Sequence, residues 1–369
     1  MSGKPNIEAL VGNLCDSSCF SDELYSRYGV KRGLRNPDGT GVPAGITRVS
    51  NVHGYLIDEY EKLPCRGELY YRGINVRDII EATNAENRFG YEETSWLLLF
   101  GSLPTRSDLE YYQTVIDSLR ELPPSFTEDM IMRAPSPDIM NKLARSVLAL
   151  YSYDDNPDDT SVENVMRQSF MLISRMPGIM TAAYQVKKRY YDNGDFILHT
   201  PIPGQSAAEN ILSLLRADRK YTWEEARLLD RCLILHAEHG GGNNSTFACR
   251  AITSSGSDTY SAIAAAIGAL KGPRHGGANL RVVKMLDELK ATVKDHRDDD
   301  EIREYLKKLL RKEAGDRSGL IYGVGHAVYT LSDPRAEILR AEAEAHADEY
   351  GMRDDYELLH AVERLAPEL

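Results

Sequence analysis

Leu229-Asp230-Arg231-Cys232-Leu233-Ile234-Leu235-His236-Ala237-Glu238-His239-Gly240-Gly241-Gly242-Asn243-Asn244 is the stretch on which the reading of this chain turns. Leu229, Cys232, Leu233, His236 and His239 recur at three- and four-residue steps, which places them on one face of a helix. The glycines then end it, because glycine gains little from helical backbone and opens φ to positive values. The spacing predicts a helix over 223–239 that delivers two histidines together to a helix–loop junction. These histidines either satisfy local backbone groups or belong to a site. Zinc is the weakest reading, since two histidines three apart have no third ligand in view.

The helical period continues on both sides. Helices are expected from about residue 78, and then over 107–121, 137–152, 160–174, 178–191, 205–216, 257–271, 278–292, 299–313, 333–349 and 355–365. Glu92 to Phe100 is rich in helix formers and is closed by Gly101 and Pro104. Strand signals are confined to 45–58 and 68–76, with Pro64 to Gly67 between them as the turn of a small hairpin. The fold expected is mainly α and two-domain, with a small β-hairpin near the N-terminus. Arg35-Asn36-Pro37-Asp38-Gly39 reads as a turn. Residues 239–279 are dense in Gly, Ala and Ser, and residues 287–317 are strongly charged. Lys271-Gly272-Pro273-Arg274-His275-Gly276-Gly277 has the backbone freedom of a hinge. The domains are therefore expected as 1–273 and 274–369.

Composition narrows the function. Lys+Arg is 44 against Asp+Glu 56 in 369 residues, a net charge of −12 that argues against general nucleic-acid binding. Apolar runs such as Ala262 to Leu270 are too short to span a bilayer, and the first residues do not read as a signal peptide. A cytoplasmic location is expected. The five cysteines, Cys15, Cys19, Cys65, Cys232 and Cys249, are an odd number and read as free thiols.

Two further segments carry chemistry-bearing residues. In Gly272-Pro273-Arg274-His275-Gly276-Gly277-Ala278-Asn279, His275 stands at or just before the N-terminus of the next helix. There the dipole disfavours a positive imidazole, and a neutral one can donate to a developing enolate oxygen. In Tyr322-Gly323-Val324-Gly325-His326-Ala327-Val328-Tyr329, the glycines permit close approach of backbone to a ligand. No Gly-x-Gly-x-x-Gly pattern or preceding strand supports a dinucleotide fold. Ser332-Asp333-Pro334-Arg335 follows, with Asp333 as N-cap and Pro334 as first helical residue. Arg335 then lies in the first turn, where it can bind a carboxylate together with free amides.

In this order, the three segments resemble the signatures of the citrate synthase family. The stretch ending in His239-Gly240-Gly241-Gly242-Asn243 resembles its His-x-x-His-x-Gly-Gly-Asn segment, and Gly272 to Asn279 its Gly-Pro-x-His-Gly-x-Ala-Asn motif. Gly323 to Val328 resembles its Gly-x-Gly-His-x-Val motif, and Asp333-Pro334-Arg335 its Asp-Pro-Arg. Tyr71-Arg72-Gly73-Ile74 and the run from Phe89-Gly90-Tyr91-Glu92-Glu93 to Leu103-Pro104-Thr105 also resemble family segments.

The resemblance implies a helical two-domain enzyme that condenses acetyl-CoA with oxaloacetate and hydrolyses citryl-CoA. It needs no metal or bound cofactor and works as a homodimer. It implies His275 as acid/base, His326 at the oxaloacetate carbonyl, and His239 and Arg335 on the oxaloacetate dianion. Gly323, Val324 and Gly325 would lie against the acyl-CoA. The family also includes 2-methylcitrate synthase, which takes propionyl-CoA; from other classes stand a non-catalytic binding or regulatory protein on the same scaffold and a metal-binding helical protein using His236 and His239. Two departures are visible. The family's Asn-Val-Asp-Phe-Tyr-type motif, with its catalytic aspartate, does not occur in residues 1–369, so this chain alone is expected to be inactive. Asp354 and Asp355 read instead as a solvated helix start. Thr330 stands where many relatives carry a basic residue useful for CoA phosphates.

Overall fold

The computed structural model describes residues 23, 27–29, 46–58, 61–326, 328, 329 and 331–369. Cys15, Cys19, the turn at 35–39 and Thr330 lie outside them. Contacts divide the chain into residues 1–45 and a compact unit of residues 46–369.

The first elements of the unit of residues 46–369 form a three-stranded antiparallel sheet in the order β1 (Ser50–Asp58), β2 (Glu61–Tyr71), β3 (Ile74–Asn75). The expected turn at Pro64 to Gly67 is corrected: these residues belong to β2, and Pro64 pairs with Tyr55. The register shifts between His53 and Tyr55, and such an irregularity accommodates a proline that has no N–H to give. The expected strand over 68–76 is also interrupted. Arg72 (φ 48°) and Gly73 (φ 89°) both take positive φ, the pattern of a two-residue hairpin turn, and lead into β3.

Helices build everything else. They are α1 (Val76–Ala85), α2 (Tyr91–Phe100), α3 (Arg106–Ser118), α4 (Ile139–Leu150), α5 (Val162–Tyr191), α6 (Ala207–Leu215) and α7 (Trp223–His236). Then come α8 (Asn244–Thr253), α9 (Thr259–Leu270), α10 (Ala278–Thr292), α11 (Asp299–Leu310), α12 (Pro334–His346) and α13 (Arg353–Leu365). Their starts follow local chemistry. Thr105 with Asp108, Ser206 with Glu209 and Thr222 with Glu225 form reciprocal caps that satisfy first-turn amides. The two segments expected over 160–174 and 178–191 are one helix, α5, which continues through Pro177. The π-helical turn Thr127–Met132 and α8 were not expected; α8 starts in a run of Gly, Asn and Ser and depends on Asn243, whose side chain accepts from the Thr246 amide.

Three apolar clusters hold these elements. Phe126, Ile131, Val147, Leu150, Ile179 and Tyr260 centre one among α4, α5 and α9. Leu69, Tyr71, Val76, Leu97, Ile234 and Leu235 centre a second where the sheet meets α1, α2 and α7, with Ile338 and Leu339 of α12 against it. Leu289, Ile302, Leu306, Leu358, Val362 and Leu365 centre a third, made by α10, α11 and α13. The boundary expected at 273/274 falls inside the compact unit, in the turn between α9 and α10. The third cluster lies wholly on its C-terminal side.

The Tyr71-Arg72-Gly73 segment joins these parts. The buried Tyr71 hydroxyl lies 2.9 Å from the Ile234 carbonyl and 3.1 Å from that of Glu238, at the end of α7. Arg72 donates through Nε and Nη2 to the Leu98 carbonyl near the end of α2, where carbonyls lack helical partners. Asp230 of α7 accepts from the Gly90 and Tyr91 amides at the start of α2, at 2.8 and 3.1 Å.

Candidate active site

The helix that opens the site ends earlier than its spacing predicts. α7 stops at His236, so His239 sits in the loop beyond it. His236 is exposed and bonds the Cys232 carbonyl at 2.7 Å, the local backbone role weighed for it above. His239 is set apart by the glycine that follows: Gly240 takes φ 88°, and its amide donates to Glu238 Oε1 at 2.7 Å and Ser50 Oγ at 3.1 Å. A β-strand serine and a glutamate therefore fix the loop that carries His239.

His326 enters from the loop between α11 and α12. Gly323 (φ 87°) and Gly325 (φ 86°) shape that loop on either side of Val324. No atom lies within 4 Å of where a Cβ at Gly325 would stand. The ring centroids of His239 and His326 are 5.2 Å apart, at a steep angle of 84°. His326 Nδ1 accepts from two amides, Val328 N and Tyr329 N, each at 3.1 Å. A nitrogen that accepts two N–H groups carries no proton, so the neutral ring is protonated on Nε2, which is then a donor.

Arg335 stands in the first turn of α12, as expected, and Asp333 caps the helix. The arginine donates through Nε and Nη2 to the two Asp333 carboxylate oxygens, at 3.1 and 2.7 Å. Burial alone would push this carboxyl up, but the guanidinium and the Arg335 amide outweigh it and hold it below the usual range. α12 is tied to the sheet, to α1 and to α7 by ion pairs of Glu337 with Arg66 and Arg77 and of Glu342 with Arg231. Burial, then the positive charge of Arg335 and the proximity of His326, push His239 down to about 4. His239 is thus a neutral imidazole in neutral solution.

His275 reaches the same loop by a different route. It lies in the turn before α10, whose cap is Gly277, and is half-buried. Its Nε2 lies 3.1 Å from Ser245 Oγ, which lies 2.7 Å from Asn243 Oδ1; Asn243 Nδ2 donates to the Gly240 carbonyl at 2.7 Å. Three hydrogen bonds thereby connect His275 to the residue beside His239. Burial lowers His275 from its ordinary value.

The structure brings His239, His326 and Arg335 into one cluster and links His275 to it. It also adds residues that the sequence did not single out for the site: Tyr329, Ser245, Asn243, Glu238 and Ser50. In the sequence Tyr329 is only the last residue of the Tyr322–Tyr329 segment. Among the described residues, no group of three or more His, Cys, Asp or Glu side chains is placed to hold a metal ion. Cys65, Cys232 and Cys249 are free. No described helix is long and apolar enough to cross a membrane. Asp354 and Asp355 lie in the first turn of α13, ion-paired with Arg297 and Lys290, as the solvated-start reading has it.

Residues 36–369 match the family described as citrate synthase, C-terminal domain. The chain belongs to the citrate synthase family. It is 33% identical over 299 residues to the citrate synthase of Deinococcus radiodurans, a match that covers 81% of this chain and 72% of the relative. It is 32% identical over 332 residues to the citrate/2-methylcitrate synthase of Bacillus subtilis, covering 89% and 79%. Among solved structures it resembles Thermoplasma acidophilum citrate synthase in a ternary complex with carboxymethyl coenzyme A and oxaloacetate, with a TM-score of 0.72, 27% identity, and coverage of 88% of this chain and 76% of that one. The predominantly helical fold with one small sheet is that of the citrate synthases.

Proposed function

We propose that this protein condenses the acyl group of acetyl-CoA with oxaloacetate and hydrolyses the resulting thioester to citrate and CoA. The observation that carries the reading is the convergence of His239, His326 and Arg335: the two rings lie 5.2 Å apart and the Arg335 charge reaches His239. Arg335 and His239 hold the carboxylates of the dianion. The Nε2–H of His326 faces the ketone oxygen as donor and polarises the carbonyl for attack. His275, neutral through burial, donates to the thioester oxygen as the methyl proton leaves. Gly323, Val324 and Gly325 let the acyl-CoA approach the backbone. No metal or bound redox cofactor takes part. The base in this scheme is an aspartate of the family motif that residues 1–369 do not contain.

Rotation of the α10, α11 and α13 cluster about the 271–277 joint would close the site over oxaloacetate and exclude water. A homodimer suits α8 and α9: no residue of α8 is buried and only Tyr260 and Ala262 of α9 are, although α9 reads Thr-Tyr-Ser-Ala-Ile-Ala-Ala-Ala-Ile-Gly-Ala-Leu. A second copy would cover that apolar face. Propionyl-CoA as donor is the second reading, supported by relatives whose names include 2-methylcitrate synthase. One methylene changes binding by only about 1–3 kcal/mol.

Calorimetric titration of the chain with oxaloacetate tests the reading. Saturable binding that His239→Ala and Arg335→Ala each weaken is expected; no binding to the folded wild-type chain would overturn it. Comparing kcat/KM for acetyl-CoA and propionyl-CoA, in a form that carries the aspartate motif, decides the donor.

A further inference from the structure

We propose that Tyr329 is a positioning residue that fixes both oxaloacetate-side imidazoles, His239 through its hydroxyl and His326 through its ring and amide. The inference rests on the oxaloacetate reading above. Tyr329 is 4% exposed. Its hydroxyl lies 3.1 Å from His239 Nε2. Its ring stacks on His326, with centroids 4.7 Å apart and planes 28° apart, and its amide donates to His326 Nδ1 at 3.1 Å. One residue thus touches both imidazoles, whose own centroids are 5.2 Å apart.

The tyrosine is itself held by the sheet. A Cβ on Gly54 of β1 would stand 2.7 Å from Tyr329 Cα and 2.5 Å from the Val328 carbonyl oxygen. A Cβ on Gly67 of β2 would stand 2.8 Å from Tyr329 Cδ1 and 2.0 Å from the Ser332 carbonyl oxygen. Only glycine lets the two strands lie this close against residues 328–332. The Gly67 amide also donates to Ser332 Oγ at 3.3 Å. The β-hairpin therefore sets the tyrosine, and the tyrosine sets the histidines.

Two directions are open to this contact, because a neutral phenol can donate to a neutral imidazole or accept from it. Burial makes the phenol hold its proton more tightly, while His239 is neutral and has one lone pair to offer. In the proposed arrangement the hydroxyl donates and Nε2 accepts. The His239 proton is then on Nδ1, and the ring keeps one N–H for a carboxylate oxygen. Without the hydroxyl, the imidazole is free to exchange tautomers and lose that donor part of the time.

Tyr329→Phe keeps the stacked ring and deletes only the hydroxyl. Oxaloacetate affinity, measured by calorimetry, is expected to fall about tenfold, while acyl-CoA affinity stays within about twofold, a split that general loosening of the loop would not give. Nitrogen-15 NMR of the wild-type chain should show His239 Nε2 unprotonated. Oxaloacetate binding by folded Tyr329→Phe within about twofold of wild type would overturn the proposal, as would a protonated Nε2 on wild-type His239. If wild type binds no oxaloacetate, the functional reading fails separately, and the NMR result still decides the tyrosine–histidine contact. The same measurement decides it if the variant does not fold.

Discussion

Arg335 turns back on Asp333, two residues before it, and presents one edge of its guanidinium to that carboxylate: Nε to Oδ1 at 3.1 Å and Nη2 to Oδ2 at 2.7 Å. The Arg335 amide donates to the same Oδ1 at 2.9 Å, so the aspartate caps the helix and holds the arginine together. Using one edge of the fork leaves Nη1 for a ligand. A lysine has a single point charge and cannot keep such a two-bond grip. Arg335→Lys should weaken oxaloacetate binding by about 10–100-fold, or roughly 1.4–2.8 kcal/mol. The cap survives because Asp333 still accepts from the backbone. Calorimetric affinity with an unchanged melting temperature is the expected pair of results; unchanged affinity would remove Arg335 from the site.

His239 gives the fold a pH signature. Burial, Arg335 and His326 hold its imidazole at about 4, against about 6.5 when unfolded. The folded state resists the proton that the unfolded state takes up. The stability linked to this group is therefore complete above pH 6.5 and is lost as pH falls towards 4. At pH 5 the loss amounts to about 2 kcal/mol. Urea denaturation at pH 7.5 and pH 5 should show that much less pH dependence in His239→Gln than in wild type. Parallel losses in the two proteins would mean that the ring is not held neutral.

Ser245 has one hydroxyl proton and two neighbours. Given to Asn243 Oδ1, 2.7 Å away, it leaves Ser245 as acceptor for an N–H on His275 Nε2. Given instead to His275 Nε2, it places the imidazole proton on Nδ1. Only the second arrangement leaves the neutral His275 an N–H, on Nδ1, free for the thioester oxygen. Ser245→Ala removes this hydroxyl and leaves the pocket open. In a form that carries the aspartate motif, kcat should drop about 10–100-fold with little change in KM for oxaloacetate. Steady-state kinetics showing a raised KM and a normal kcat would contradict this.

The fold was legible where the chain is periodic and capped. α10 runs over 278–292 as expected, and α12 begins at Pro334 behind its Asp333 cap. It was not legible where tertiary contacts override local preference. Pro64 reads as a turn in isolation, but a register shift, with its extra residues on β2, lets β2 run through it. Pro177 reads as a break, but apolar contacts on both sides of it carry α5 past it. His239 fits the helical face of α7 by spacing, yet α7 ends three residues earlier. The site followed the same division. His239, His275, His326 and Arg335 stand out as chemistry between glycines or behind a cap. Tyr329 and Ser245 look ordinary until the chain folds, because their importance lies in partners 90 and 30 residues away in sequence.

Gly67 shows how a position in the sheet can govern the site without touching a ligand. Its backbone packs against residues 329–332, and a Cβ there would come within 2.0 Å of the Ser332 carbonyl oxygen, which is backbone and cannot step aside as a flexible side chain could. The loop must move if Gly67→Ala is to fold. Relieving the overlap displaces Tyr329 and the start of α12 together. Overpacking of this kind costs about 1–3 kcal/mol, so the midpoint of urea unfolding should fall accordingly. Oxaloacetate affinity should fall as well, since Tyr329 contacts His239 and His326 and Arg335 lies three residues after Ser332. Gly204→Ala is the control: this glycine, unlike Gly67, has positive φ, at 80°, and a Cβ there has no atom within 4 Å. That variant should lose some stability through backbone strain and keep its affinity for oxaloacetate. Equal binding losses in the two variants would show that any destabilised form binds poorly and that the hairpin has no special hold on the histidines.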